Sequence, residues 1–283
     1  QNKKLQTINC KGTLIDLAMP KVMGIINVTP DSFYDGGATT LESQIIKQAS
    51  LMLEQGATFL DLGGYSSRPG ATDISQQLEI NRVIPAIKAI IRAFPKTLIS
   101  IDTFRSEVAR QAVNAGACMV NDISAGKLDT QMLETIGDLQ IPYCMMHMRG
   151  TPQTMKTLTD YKNITKEVLF YFSERVAAAR TCNINDIIVD PGFGFAKTTD
   201  QNFELLKHLE LFETLNLPVL AGVSRKSMVY KTLDISAKEA LNGTTALHMV
   251  ALQKGARILR VHDVQPATEC IKLFNQLNTT KCN

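Results

Sequence analysis

The residues able to do chemistry in this chain stand at the ends of short apolar runs. Asn27, Asp61, Asp102, Asn121-Asp122, His147, Asp190, Ser224-Arg225-Lys226, and Arg260 with His262 each close or directly follow such a run. A carboxylate accepts N–H groups in strong, charge-assisted bonds, and an Asn offers a donor and an acceptor together. Lysine and arginine converging on the same place would suit an anionic small molecule. Any one polar residue at a strand end is as readily a turn former or a helix cap. A polar group after every run is harder to explain that way, and it points to a shared site.

The runs themselves are Val22–Val28, Thr58–Leu62, Leu98–Ile101, Cys118–Val120, Tyr143–Met146, Ile187–Val189, Val219–Ala221 and Ile258–Val261. They are continuous rather than alternating, as expected for parallel strands covered on both faces. The stretches between them have helical spacing. Ile80, Val83, Ile84, Ile87 and Ile91 line one face, and so do Ile164, Val168, Phe172 and Val176. Thr39 with Glu42 and Ser236 with Glu239 read as capping boxes. Gln55-Gly56-Ala57, Ala115-Gly116-Ala117 and Lys254-Gly255-Ala256 repeat one turn between a helix and the next run. Residues 6–16, centred on Lys11-Gly12, read as a hairpin before the first barrel strand. No linker or composition shift divides the chain. The expectation is an α/β fold, a TIM (β/α)₈ barrel with a short N-terminal hairpin, in a single domain over residues 1–283. In a barrel all the strand ends open on one face, which is where catalytic residues gather. A doubly wound open sheet would need a GxGxxG fingerprint, and none occurs. Gly192-Phe193-Gly194-Phe195-Ala196-Lys197-Thr198 lacks the spacing of a nucleotide P-loop.

Composition narrows the function classes. A net charge of +3 over 283 residues is mild, without the basic stripe that nucleic acid requires. There is no signal-peptide pattern and no apolar run of about 18 residues, so a cytoplasmic protein that does not span a membrane is expected. The cysteines, Cys10, Cys118, Cys144, Cys182, Cys270 and Cys282, form no CxxC pair and no metal-ligand spacing with His. They read as free thiols of a reducing compartment.

Three loops are long. Thr29–Gly37 and Gly63–Ala71 carry Gly, Pro and charge, and would lie over the same mouth, where they could close on a substrate. The third runs from His147 to about Asp160 and begins beside Met145, Met146 and Met148, one of which could line a flat ligand.

In detail these segments resemble the dihydropteroate synthases. Gly24-Ile25-Ile26-Asn27-Val28-Thr29-Pro30-Asp31-Ser32-Phe33 with Asp35-Gly36-Gly37 is similar to that family's first signature. Asp61-Leu62-Gly63-Gly64 with Ser66-Ser67-Arg68-Pro69-Gly70-Ala71 is similar to its second. Ser100–Thr103, Asn121–Ser124, Met146–Met148, Asp190–Phe195, Ser224–Ser227 and Arg260–Asp263 continue the match in order, over about residues 20–270. The resemblance implies a barrel enzyme joining 6-hydroxymethyl-7,8-dihydropterin diphosphate to p-aminobenzoate, with 7,8-dihydropteroate and pyrophosphate as products.

It also implies roles. Asp102, Asn121 and Asp190 would grip the pterin edge, Lys226 its ring oxygen and N5, and Arg260 would stack on the ring between walls of Ile123, Met146 and Phe195. Asn27, Arg260 and His262 would receive the diphosphate, with Asn27 touching Mg²⁺. Phe33, Ser67, Arg68, Pro69, Phe195, Lys226 and Ser227 would form the p-aminobenzoate pocket. Lys226, Asp102, Asp35 and Arg68 would be the catalytic group, with Asp35 and Arg68 paired across the two loops. Pyrophosphate would leave first, so charge stabilisation and not a protein nucleophile is needed. Asp61, Asp122 and Asp263 are expected to brace turns or support the site residues, His147 likewise, and His208 and His248 to be structural or on the surface. Ser67 stands where the family more often has Thr, and Tyr65 holds a variable position. The resemblance further implies a homodimer through the last helices. The alternative is a methyltetrahydrofolate-binding methyltransferase barrel, which would not need the Ser-Ser-Arg-Pro or Ser-Arg-Lys-Ser segments. A non-catalytic relative kept for interaction is the third reading, opposed by intact charge at every site position.

Overall fold

A computed structural model describes residues 6–29, 41–68 and 71–279. The chain opens with an antiparallel hairpin, β1 (Thr7–Cys10) and β2 (Thr13–Asp16), turned at Lys11-Gly12. β3 (Lys21–Asn27), α1 (Leu41–Glu54), β4 (Phe59–Gly63), α2 (Gln76–Ala93), β5 (Leu98–Asp102), α3 (Ser106–Ala115) and β6 (Met119–Asp122) follow. Then come α4 (Met132–Leu139), β7 (Tyr143–Met146), α5 (Ile164–Thr181), β8 (Ile187–Asp190), α6 (Thr199–Lys207), β9 (Val219–Ala221), α7 (Ser227–Tyr230), α8 (Leu241–Gln253), β10 (Ala256–Val261) and α9 (Val264–Thr279). Strands β3 to β10 close into a parallel barrel, in chain order with β10 beside β3. All eight runs are therefore strands. Several extend one residue further than their apolar run, because ladder pairing continues through the polar end: Asp102 pairs with Asn121, and Met146 with Asp190.

The pleat decides what each strand residue faces. Leu60, Leu62, Ile99, Ile101, Val120, Met145, Val189, Ala221 and Leu259 point outward into one core with the helices. That core takes Ile80, Val83 and Ile87 from α2, and Ile164, Val168 and Phe172 from α5, the faces that the helical spacing predicts. Met23, Phe59, Met119, Cys144, Ile188, Leu220 and Ile258 form a second cluster, which Ile8, Cys10 and Leu17 of the hairpin segment complete. The hairpin thus plugs the floor of the barrel. Two residues beyond the floor layer, on the same strand face, come Asp61, Asn121, Met146, Asp190 and Arg260. The site is the next layer of the same pleat.

Local signals hold with two qualifications. Gly56, Gly116 and Gly255 all have positive φ, so the repeated turn is the left-handed helix stop expected of it. The Ser236–Glu239 box closes reciprocally, but on a 3₁₀ turn (Ala237–Glu239) and not on an α-helix. The Thr39–Glu42 box lies outside the described residues. Cys10, Cys118, Cys144 and Cys270 are buried free thiols and Cys182 is half-buried. Cys118 falls just before β6 and not within it. Among the described residues no helix is long and apolar enough to cross a membrane.

Candidate active site

The centre of the mouth is a four-residue cluster from four strands. Arg260 on β10 donates through Nε to Asp61 Oδ2 at 2.6 Å and through Nη2 to Asp102 Oδ2 at 2.9 Å. Asn121 on β6 donates through Nδ2 to the same Asp61 oxygen at 3.1 Å. Asp61 is fully buried, and its Oδ1 has no hydrogen-bond partner. Its sequence neighbourhood reads as a turn, yet it fixes the planes of both Arg260 and Asn121. The pair Arg260–Asp102 is half-open to the mouth, so Asp102 has the exposed carboxylate edge and Asp61 the internal one. Burial pushes the Asp102 carboxyl up to about 7, while the Arg260 guanidinium opposes the rise.

Across the mouth, Asp190 ends β8 and Lys226 stands at the N-terminus of α7. Burial raises the Asp190 carboxyl, with the Lys226 charge opposing; burial pushes Lys226 down to about 8, with Asp190 opposing. The Lys226 ammonium donates to the Phe193 carbonyl at 2.6 Å and lies 4.9 Å from the centre of the Phe195 ring. Arg225, its neighbour, points the other way. It has φ of 52°, a left-handed conformation that divides the two cations between opposite sides of the chain. Its guanidinium grips Asp263 with Nε at 2.7 Å and Nη2 at 3.0 Å. Asp263 is thereby a brace for the Lys226 loop, as expected.

Asp122 is also a brace: buried, it accepts from Ser124 N and Oγ, Gly126 N and the Tyr143 hydroxyl. Ile123, Met146 and Met148 cluster with Phe104, Leu128 and Phe195, which joins the three expected wall residues to Met148, Phe104 and Leu128. Met145 faces away into the helix-side core.

The Gly-Phe-Gly-Phe segment after β8 holds a residue that sequence reasoning missed. Lys197 Nζ donates to the carbonyls of Gly192 at 2.9 Å and Phe195 at 2.8 Å and contacts His147 Nδ1 at 3.0 Å. The loop folds around its own lysine amine, whose pKa burial drives well below the ordinary value, with Asp190 opposing. Burial, reinforced by the Lys197 charge, drives the His147 pKa well below its ordinary value, so the ring is neutral and accepts. Gly192 is required here: φ is +74°, and a Cβ would stand 2.0 Å from the His147 carbonyl oxygen. The readable signal was a lysine just before the Thr198 cap. The support expected of His147 is thus contact with this loop. His248 is buried and His208 half-buried.

Asn27 is half-buried at the end of β3, paired in register with Gly63. His262 bonds Ser224 Oγ through Nδ1 at 2.9 Å. Desolvation first, then the charges of Arg260, Arg68 and Lys226, press its pKa down to about 4. Ser67 is half-buried, Arg68 exposed, and Ser227 half-buried as the first residue of α7. Phe33, Asp35 and Pro69 lie outside the described residues, and with them the expected Asp35–Arg68 pair.

Comparison with known proteins agrees with this geometry. Residues 23–262 match the family described as pterin binding enzyme. The dihydropteroate synthase of Escherichia coli K12 is 41% identical over 275 residues, covering 96% of this chain and 97% of that protein. The Xanthomonas albilineans dihydropteroate synthase solved with 4-aminobenzoic acid superposes with a TM-score of 0.92 at 37% identity, covering 98% of this chain and 100% of that one. The Yersinia pestis enzyme, solved as a sulfonamide drug complex, gives 0.91 at 36%, covering 97% and 100%. With four carboxylate, amide and guanidinium groups locked together beside a Lys–Asp pair, and with relatives alike over nearly the full length, the chain belongs to the dihydropteroate synthase family.

Proposed function

We propose that the mouth residues of this transferase of folate biosynthesis divide the work of condensing 6-hydroxymethyl-7,8-dihydropterin diphosphate with p-aminobenzoate. The observation that carries the division is the Asp61–Arg260–Asp102 chain with Asn121, opposite Asp190–Lys226 and above the Ile123–Met146–Phe195 wall. Asp190, Asn121 and Asp102 receive the N–H and acceptor edge of the flat pterin. Lys226 bonds its ring oxygen and N5, and Arg260, its plane fixed by two carboxylates, covers the ring. Asn27, Arg260 and His262 receive the diphosphate.

In the reaction the bond from the pterin methylene carbon to oxygen breaks, and pyrophosphate leaves with the electron pair. The aniline nitrogen then forms the new C–N bond and gives up a proton to solvent. Asp102 stabilises the cationic pterin, and Arg260 and His262 the departing charge. Such preorganised groups contribute most where water is excluded. Phe33, Ser67, Arg68, Pro69, Phe195, Lys226 and Ser227 form the p-aminobenzoate pocket, with Asp35 completing the catalytic group.

Mg²⁺ belongs to this reading. Among the described residues no three His, Cys, Asp or Glu side chains stand together as a metal cage. A single amide oxygen from Asn27 suits an ion carried largely by substrate phosphates and water, as Mg²⁺ commonly is. Bound there, it would neutralise charge on the leaving pyrophosphate. A homodimer through the last helices is proposed as well: Leu273 and Leu277 of α9, four residues apart, are 66% and 61% exposed.

The test is pyrophosphate and pteroate formation with each substrate present and omitted, in wild type and in Asp190→Asn, Asn121→Ala and Arg260→Lys. Pteroate formation that survives all three changes would remove the pterin-edge assignment. Sedimentation of Leu277→Glu tests the dimer, which should dissociate.

A further inference from the structure

One side chain on the loop after β7 holds both ends of the segment after β4 that carries Ser67 and Arg68. Gln153 Nε2 donates to the Tyr65 hydroxyl at 2.8 Å and to the Ala71 carbonyl at 3.0 Å. Because the Ala71 group it meets is the carbonyl oxygen, the amide must present its NH₂ group there. Tyr65 precedes Ser66, Ser67 and Arg68, and Ala71 follows them, with Ala71 N bonded back to the Arg68 carbonyl at 3.0 Å.

Both ends are anchored elsewhere too. Arg82 Nη1 donates to the Gly64 carbonyl at 2.9 Å. Arg105 donates to the Ile74 carbonyl at 2.7 Å and to the fully buried Glu79 carboxylate at 2.6 Å. The Arg105 guanidinium lies over the rings of both Tyr65 and Phe104. The Tyr65 ring meets Phe104 edge-on at 5.0 Å. Phe104 packs in turn in the cluster of Ile123, Met146 and Met148, which includes two of the three residues assigned above to the pterin wall. Tyr65 therefore reaches the pterin wall through Phe104 with its ring and the β7 loop with its hydroxyl.

We propose that Gln153 is a positioning residue for the second substrate. It sets the p-aminobenzoate KM by tying Tyr65 to Ala71 and so fixing Ser67 and Arg68 over the mouth. This rests on the reading that Ser67 and Arg68 contact p-aminobenzoate. Gln153 sits on a turn with its own bonds, Thr151 N to Thr154 Oγ1 at 2.9 Å and Thr154 N to Thr151 O at 3.0 Å, so its replacement leaves that turn formed. A net hydrogen bond is worth about 1 kcal/mol. Two such bonds correspond to about thirtyfold at most, so losing the double tie should raise the p-aminobenzoate KM about ten- to thirtyfold, with the pterin-diphosphate KM unmoved.

Steady-state kinetics with each substrate varied in turn would test this in Gln153→Glu, Tyr65→Phe and Arg68→Ala. Gln153→Glu keeps the shape and can still accept from the Tyr65 hydroxyl, but it sets an acceptor against the Ala71 carbonyl, and should show most of the rise. Tyr65→Phe keeps the Ala71 bond and should show a smaller one. The double variant, with both ties gone, should show the full rise. An unchanged p-aminobenzoate KM in Gln153→Glu, with a raised one in Arg68→Ala, overturns the tie. An unchanged KM in Arg68→Ala as well overturns the pocket reading beneath it. A lower Tm with both KM values and kcat altered together would show Gln153 to be merely structural, which also overturns the proposal.

Discussion

The two ends of this barrel are built from the same strands and do opposite things. At the floor, Met23, Phe59, Met119, Cys144, Ile188, Leu220 and Ile258 face each other under an apolar hairpin. One pleat further, Asp61, Asn121, Asp190 and Arg260 face each other under solvent. The floor has little polar to satisfy, chiefly the Ser100 hydroxyl and the Cys10–Cys118 thiols, and is packed mainly for stability. The mouth gathers buried charge, which desolvation penalises even when paired. Asp102, Asp190 and Lys226 all have pKa values moved by burial toward their neutral forms, the mark of groups held where stability alone would not place them. One strand thus separates stability from function by two residues.

The sharpest way to break this comparison is to exchange the consequences. Phe59→Ala, one pleat below Asp61, should cost about 3–5 kcal/mol of stability through lost contacts and the cavity left behind. Turnover per folded molecule should stay near wild type. Chemical denaturation paired with active-site titration would show it, and a large fall in kcat at full folding would mean that the two ends are not separable. Lys226→Ala should do the reverse. Removing one preorganised charge of this kind costs about 10²–10³ in rate, while Tm should change little, because loss of the penalised cation is offset by leaving the buried Asp190 carboxyl without its opposing charge. Thermal melts alongside kcat measurements decide this.

Much of that contrast was legible beforehand, for a physical reason. Parallel strands buried on both faces give continuous apolar runs, so eight runs read as eight strands, and a polar residue at each end stands out against them. Asp102, Asn121, Asp190, Lys226 and Arg260 were visible on that ground. Asp61 was visible as a residue but not in its role, because nothing in Asp61-Leu62-Gly63-Gly64 reveals that its carboxylate reaches Arg260, 199 residues away. Glu79 was invisible: it sits in the first turn of an amphipathic helix, where an acid is ordinary, yet it is fully buried against Arg105 and Thr103. Lys197 stands in a segment whose spacing rules out a phosphate loop, and its amine proves to be the centre that this loop folds around, donating to the Gly192 and Phe195 carbonyls. Strand ends follow from local pattern, whereas ion pairs between distant segments depend on closure of the barrel, which pattern does not encode.

The smallest expected effect is a pH dependence, and it sharpens the comparison because the floor should contribute nothing to it. Asp102 must be ionised to stabilise a cation, and Lys226 protonated to bond an acceptor. With the first near 7 and the second near 8, kcat/KM for the pterin substrate should climb through about pH 7 and decline above about pH 8. Stability runs in a related way. Between about pH 4 and 7 an unfolded Asp102, with a pKa of about 3.9, has lost its proton, while the folded one keeps it. The unfolded chain then binds fewer protons, so the Asp102 contribution to stability is full below about pH 4 and is lost as pH rises to about 7. For Lys226 the unfolded chain binds more protons between about pH 8 and 10, and its contribution improves with pH across that window. Asp102→Asn should therefore flatten the fall in stability between about pH 4 and 7 and erase the acid limb of kcat/KM. Phe59→Ala should shift the whole stability curve down without changing its slope. An acid limb that persists in Asp102→Asn would assign it to another group and remove Asp102 from the charge-stabilising role.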